Sequence, residues 1–377
     1  MLDGDGFEVY DLFNALTHTC VKVRKEEEDL NMKKIAAMAM ILAMTTAALA
    51  GCGTADTGTG AASDAAAPGT AAEQDAGSGQ AADGEEVYNI GICQLVQHEA
   101  LDAATQGFQD KLTELLGEGN VTFDVQNASG DSPTCATIAN QFVAADVDLI
   151  LANATASLQA AAAATADIPI LGTSITDYAT ALGMEDWTGT TGKNISGTSD
   201  LAPLDEQAKL LNEMFPDAKN VGILYCSAEA NSSYQSGVIQ EALTGLGYTC
   251  KEYTFADSND LASIATSAAA ESDVIYVPTD NTAASNTEII QNICQPAGVP
   301  VVAGEEGICK GCGVATLSIS YYDIGAKAGE MAYDILVNGA DIASMKIETA
   351  PNVTKKYNAA NCEALQITPP EGYEPIG

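Results

Sequence analysis

Positive charge is what this chain of 377 residues has least of. It carries 15 Lys and Arg against 52 Asp and Glu, a formal net charge of −37. The one arginine is Arg24, and from residue 53 onward ten lysines stand against 44 acids. Nucleic-acid binders need a basic face to displace counterions, so that class is excluded. A phosphate or sulfate clamp built on arginine is excluded as well. Histidine is almost as scarce. Beyond the N-terminal segment only His98 is present, which leaves little room for a histidine-based metal site or a hydrolase triad. Neither a metal nor a cofactor is assigned. Hydrophobic residues at 46% and charged ones at 18% describe a globular chain.

Residues 53–86 lack any aromatic or large aliphatic side chain. Such a segment cannot bury enough apolar surface to order itself, and reads as a tether with a reach of roughly 30 Å. In front of it, Lys33 and Lys34 precede an apolar run, 35–50, that is too short for a comfortable membrane span. The run ends in Leu49-Ala50-Gly51-Cys52. Small residues before a cysteine at that place resemble the lipobox of bacterial lipoproteins, in which the cysteine is acylated and becomes the new N-terminus. The expectation is therefore a signal peptide over 32–51, a lipidated Cys52 and a flexible linker to 86. Met32 is read as the start, and 1–31 as a mis-called extension in which Lys25-Glu26-Glu27-Glu28-Asp29 reflects purine-rich codons. The domain would then sit on the outer face of the bacterial cytoplasmic membrane, held by lipid.

From 87 on, short β-rich runs alternate with longer helical patterns. Strands are expected at 87–95, 121–126, 148–153, 168–171 and 195–199, then at 220–226, 248–255, 273–278, 299–303 and 314–320. Helices are expected at 98–116, 135–145, 157–164, 203–215, 234–246, 261–270, 284–295 and 324–337. Near-continuous apolar strands imply a parallel sheet covered on both faces. Two such stretches in succession give an α/β fold of two doubly wound parallel-sheet lobes.

In sheets of this kind ligands bind beyond the carboxyl ends of the strands. That rule selects Gln94, Asn127, Asn153, Thr155, Thr173 and Ser174 in the first lobe. In the second it selects Glu229, Asn231, Ser232, Thr279, Asp280, Asn281, Glu305 and Glu306. Taken singly, such a residue is more often a helix N-cap than a ligand contact. Their recurrence on nearly every strand end favours a binding site.

The same segments resemble the substrate-binding lipoproteins of ABC importers, in the tryptophan/tyrosine-type family. The resemblance runs over nearly all of 88–367. It is carried by Gln94-Leu95-Val96-Gln97-His98-Glu99-Ala100-Leu101-Asp102, by Gln126-Asn127-Ala128 and by Thr176-Asp177-Tyr178. It continues through Gly192-Lys193-Asn194-Ile195-Ser196-Gly197-Thr198-Ser199-Asp200, Glu229-Ala230-Asn231-Ser232, Pro278-Thr279-Asp280-Asn281 and Tyr321-Tyr322-Asp323-Ile324-Gly325. Two departures stand out: Tyr178 occupies a position where the family usually has proline, and Asn153-Ala154-Thr155-Ala156 replaces a more apolar version. The resemblance implies the type I periplasmic-binding-protein fold, with three crossovers between lobes. The lobes would be 87–200 plus 315–339, and 201–314 plus 340–377. It also implies an amino-acid ligand, commonly aromatic, ABC permease and ATPase partners, and a monomer.

Without arginine a ligand carboxylate cannot be gripped bidentately. It would need main-chain N–H groups at helix N-termini, for which Ala154-Thr155 and Ser232-Ser233 are placed. An α-ammonium would take Asp280, and Tyr321 and Tyr178 are candidates for an aromatic wall; Asp177 joins the site through the family motif. Cys93 with His98 could form a cysteine hydrolase pair, but strand alternation turns Cys93 toward the core. Cys309-Lys310-Gly311-Cys312 lacks the second pair a zinc site wants. The eight cysteines beyond Cys52 read as small core residues or, in an oxidising compartment, as disulfides. A type I sugar or nucleoside receptor, or a ligand sensor coupled to a signalling partner, are the alternative functions.

Overall fold

Unbroken buried strands dictate a sheet covered on both sides. In the computed structural model, which describes residues 87–349 and 352–376, β1 (Tyr88–Gln94), β3 (Leu149–Asn153) and β4 (Ile170–Ile175) are almost wholly buried. A strand shielded on both faces cannot face water and needs helices above and below. These are α1 (Glu99–Leu116), α2 (Ser132–Ala144) and α3 (Thr155–Ala164). With β2 (Val121–Asn127), a short α4 (Tyr178–Leu182) and β5 (Ile195–Ser199) they form the first lobe. Its sheet order is β11-β5-β4-β3-β1-β2, all parallel, where β11 is Glu348–Thr349.

The second lobe repeats the plan. It contains α5 (Leu204–Met214), β6 (Asn220–Cys226), α6 (Ala230–Gly245), β7 (Thr249–Phe255), α7 (Ser258–Glu271) and β8 (Val274–Val277). It continues with α8 (Asn281–Ala284), α9 (Thr287–Ala297), β9 (Val301–Ala303), α10 (Glu306–Cys312) and β10 (Ala315–Ile319). Helix α11 (Tyr321–Leu336) follows, and β12 (Val353–Tyr357), α12 (Ala359–Ala364) and β13 (Glu374–Pro375) close the chain. The second sheet runs β13-β12-β10-β9-β8-β6-β7, with β10 and β12 antiparallel.

The expected α/β architecture of two doubly wound lobes is thus present, and the lobe boundaries shift. Strand β10 pairs with β9 and β12 in the second sheet, so 315–319 belongs to the second lobe and not the first. Helix α11 packs on α1 in the first lobe, where a Cβ on Gly325 would stand 2.0 Å from the Ala104 carbonyl oxygen and one on Gly107 2.1 Å from that of Tyr322. Strand β11 pairs with β5, so the first lobe extends to Thr349. The chain therefore changes lobes at Asp200–Pro203, at Ser320, and between β11 and β12, rather than near Val314 and Gly339. Among the described residues no helix is long and apolar enough to cross a membrane. The expected signal peptide, Cys52 and linker lie outside the described residues.

Candidate functional site

Strand register decides which strand-end residues face the cleft. Gln94 stands opposite both Asn127 and Asn153, and Asn153 opposite Thr173. Cross-strand neighbours in a parallel sheet share a face, and here α1 covers that face. Gln94 donates to Asp102 (2.7 Å) and accepts from Thr105 (2.7 Å), while Asn153 donates to the Leu101 carbonyl (2.8 Å). Thr173 meets Thr198 at 3.1 Å, and exposed Asn127 accepts from the Ser129 amide at 2.7 Å. Gln94, Asn127 and Thr173, expected in the site, therefore serve the first lobe's own packing and do not line the space between lobes. Asp177 is the N-cap of α4, accepting from Thr180 N at 2.7 Å, and is likewise outside it. Buried Ser232 lies behind the site against Asp280.

A register shift between Gly172 and Ile175 breaks this row. It puts Ser174 at φ 57° and turns it into a small cavity between the lobes. The first-lobe side of that cavity is Ser174, Asp200, His98 and Leu101; the second-lobe side is Asn231, Thr279, Asp280, Asn281 and Glu305, and Tyr321 comes from the second crossover. Of the strand-end residues, Ser174, Asn231, Asp280, Asn281 and Glu305 come together at this cavity, and Tyr321 joins them. Sequence reasoning left His98 and Asp200 out of the binding site. Asp200 ends β5 as the other residues end their strands, a signal that was present.

Three carboxylates line this cavity, and no lysine or arginine does. Asp280 caps α8: its Oδ1 accepts from Ala283 N and its Oδ2 from Cys226 N, both at 2.7 Å. Burial and then the charge of Glu229 push it up to about 7, against the pull of those amides. Glu305 caps α10, accepting from Gly307 N at 2.7 Å and from Ile308 N, and burial pushes it up to about 7. Asp200 accepts from Tyr321 Oη (2.9 Å) and Thr176 Oγ1 (3.0 Å), and burial raises it too. His98 donates through Nε2 to Asn281 Oδ1 at 3.2 Å across the lobes, and burial lowers it below the usual imidazole range. Gln235 reaches Thr176 from the other side at 3.4 Å, and Lys310 pairs with Glu99 at 3.0 Å. The lobes are drawn together, and the cavity of about 10 Å³ has room for roughly one water.

Beside it lies a larger space of about 320 Å³, sharing Asn231 and Asn281 with the first. Helix N-termini converge here. Those of α2, α7 and α8 are capped by Asp131, Asp257 and Asp280. Those of α3 and α6 have no side-chain cap. At α3 the cap position is Ala154, held at φ 88°, ψ 158°, a conformation essentially reserved for glycine; Thr155 follows, buried and lining the space. At α6 the cap position is Glu229, whose carboxylate is spent on α8 instead, accepting from Asn281 N (3.0 Å), Thr282 N (2.9 Å) and both side chains. Strained backbone concentrates at binding sites, and uncapped helix starts favour an anion.

Other expectations are resolved by packing. Tyr178 is no wall: its hydroxyl fits the room left by Gly172 and Gly197, donates to Thr198 O at 3.1 Å, and its ring stacks on Trp187 at 6.4 Å. Cys93 turns into the core toward Ser157, at 3.6 Å, and does not meet His98. All eight cysteines among the described residues are free thiols, seven of them buried, which is the core reading rather than the disulfide one.

Residues 89–373 match the family model for ABC transporter substrate binding proteins. A relative from Clostridioides difficile, the tyrosine-binding protein, is 34% identical over 287 residues, 76% of this chain and 83% of that one. The structure of the ABC domain from Streptococcus pneumonia in complex with L-Trp is 31% identical, with a TM-score of 0.73 over 76% of this chain and 97% of the other. A ligand-free, open substrate-binding protein with adhesive properties from Clostridium difficile is 37% identical, covers 77% of this chain and 99% of the other, and gives a TM-score of 0.60. The fold, the inter-lobe cavity and this match lead to one statement: the chain belongs to the family of ABC transporter substrate-binding proteins.

Proposed function

We propose that this protein captures a zwitterionic amino acid, with an aromatic side chain, outside the cytoplasm and presents it to an ABC permease and its ATPase. The carrying observation is the pairing of two environments in one cleft. A cavity lined by buried carboxylates and by no lysine or arginine suits an ammonium group. Two uncapped helix N-termini, α3 and α6, suit a carboxylate where arginine is absent. The adjoining 320 Å³ is of the size class that holds small ligands. The small cavity has to widen to admit the amino-acid backbone, so binding and release require the lobes to part about the three crossovers. The names of the relatives, one tyrosine-binding and one holding L-Trp, support the aromatic choice.

A thermal-shift and calorimetric screen of L-amino acids against sugars and nucleosides tests this reading. One or a few aromatic amino acids should stabilise the protein, by about 2.7 kcal/mol at 100 times the dissociation constant. Shifts from sugars with none from amino acids would refute it. The anchor is tested separately: Cys52→Ala should release the protein from membranes with ligand affinity unchanged. A Cys52→Ala protein processed normally yet still membrane-bound removes the lipid assignment.

A further inference from the structure

The three carboxylates of the small cavity are not equivalent. Asp280 and Glu305 each receive two main-chain N–H groups at the start of a helix. Those amides, with the local helix dipole, compensate a buried negative charge. Asp200 has no such support. It is 3% exposed, belongs to no helix start, and accepts from two side-chain hydroxyls, Tyr321 and Thr176, and from its own amide, which is shared with the Ile175 carbonyl at 3.2 Å. Hydroxyl dipoles offset a buried carboxylate far less than a cation does, and an uncompensated buried charge is costly. No lysine or arginine lines the cavity to supply that cation.

A second observation points the same way. Ser174 Oγ, in a residue 6% exposed, lines the same cavity and has no hydrogen-bond partner. Buried hydroxyls are nearly always paired, so an orphan facing a cavity marks the place of a ligand group. An ammonium group has three N–H donors and no acceptor. A carboxylate and a free hydroxyl oxygen lining one cavity are the acceptors it needs.

We propose that Asp200, assisted by Ser174 Oγ, is the anchor for the ligand's ammonium group, and that Asp280 and Glu305 hold the second-lobe helices that face it. The inference rests on the amino-acid reading given above. It moves the charge partner from Asp280 to the first crossover, where Asp200 is bonded to Tyr321 of the second crossover. An ammonium bound there contacts both strands of the hinge, so capture and closure act on the same carboxylate.

Calorimetry on the exported protein tests this with L-tyrosine and L-tryptophan and their deaminated analogues, 3-(4-hydroxyphenyl)propionate and 3-(indol-3-yl)propionate. Wild type should prefer each amino acid over its analogue by about thirtyfold or more, the usual consequence of leaving a buried charged partner unpaired. Asp200→Asn should bind the analogues as well as wild type does and lose the preference to within about threefold. Ser174→Gly accepts the positive φ without strain and removes only the hydroxyl; it should lower the preference by about five- to tenfold. That variant carries the test if Asp200→Asn fails to fold. A preference unchanged in either folded variant overturns the assignment. Wild type that binds amino acids and analogues equally also overturns it while leaving the amino-acid reading in place, and wild type that binds no amino acid overturns both.

Discussion

The cap at Asp280 makes a prediction that ordinary capping preferences get wrong. Aspartate and asparagine cap helices about equally well, so Asp280→Asn at an isolated cap would be nearly silent. Here both oxygens are in use, Oδ1 on Ala283 N and Oδ2 on Cys226 N, each at 2.7 Å. The first bond starts α8 and the second ties α8 to the end of β6. An amide side chain has one acceptor oxygen. In either orientation its NH₂ group faces a main-chain N–H at a distance suited to a hydrogen bond, donor against donor. One charge-assisted bond is lost and one buried N–H is orphaned, at about 1–3 kcal/mol.

A compensating gain is smaller. Removing the charge relieves the burial that pushes Asp280 up to about 7, so near neutrality only part of the ionisation cost is recovered. The net expectation is a loss of about 1–2 kcal/mol, and for a protein of this size a melting temperature lower by roughly 2–8 °C. Urea and thermal unfolding of the unliganded protein at pH 7.5 measure it, with ligand discrimination followed in parallel. A variant as stable as wild type would show that the Cys226 contact contributes nothing and would sink the two-point cap. A stable variant that has instead lost its preference for amino acids over deaminated analogues would return the ammonium role to Asp280.

How far the sequence carried is visible in particular elements. Strands β1, β3, β6 and β8, and the start of β4, announce themselves because near-continuous apolar runs have no other comfortable place than a sheet covered on both sides. The short α4 and α10 escape because five and seven residues are too few to show a helical period, β11 because an exposed two-residue edge strand carries no apolar run, and β12 because a half-exposed strand carries none either. The lobe of β10 is invisible in the sequence: an apolar strand states that it is buried, not which sheet it joins. The site follows the same logic. Strand ends locate the carboxyl edge, but the pleat then sorts neighbours onto opposite faces. Gln94, Asn127 and Thr173 fall under α1 by register, and Ser174 reaches the cleft only through the bulge in β4, a local departure without a sequence signature of its own. Asp280 and Glu305 had two available roles, cap and contact, and the hydrogen bonds assign both to caps.

Four further outcomes follow from the packing and the buried acids. Gly325→Ala places a methyl 2.0 Å from the Ala104 carbonyl oxygen, which α1 and α11 can relieve only by separating; urea unfolding should show a loss of about 3 kcal/mol or more, and wild-type stability would disprove the close approach. Tyr178→Phe leaves the buried Thr198 carbonyl without its donor and should cost about 1–2 kcal/mol with amino-acid affinity unchanged; an altered affinity would restore Tyr178 to the ligand wall. Thiol titration of the denatured, unreduced protein should find all eight cysteines from 93 to 362 reactive, and a count short by two would reveal a disulfide. The last outcome concerns pH. Glu305 stands at about 7 in the fold because burial disfavours its charge, above the value of about 4.3 expected in the unfolded chain. The folded state therefore holds this proton more tightly. Its contribution to stability is fully present below about pH 4, is lost as pH rises through 7, and is level beyond, with a ceiling of roughly 3–4 kcal/mol. Asp280 acts in the same direction, as does the repulsion among the many surface acids, so wild type alone cannot isolate the group. Glu305→Gln removes the titration and also one acceptor for the Gly307 and Ile308 amides. The variant should be clearly less stable than wild type at pH 5, and the gap should narrow steadily to pH 8. Parallel stability curves across that range would mean that Glu305 is ionised throughout and that its burial carries no such cost.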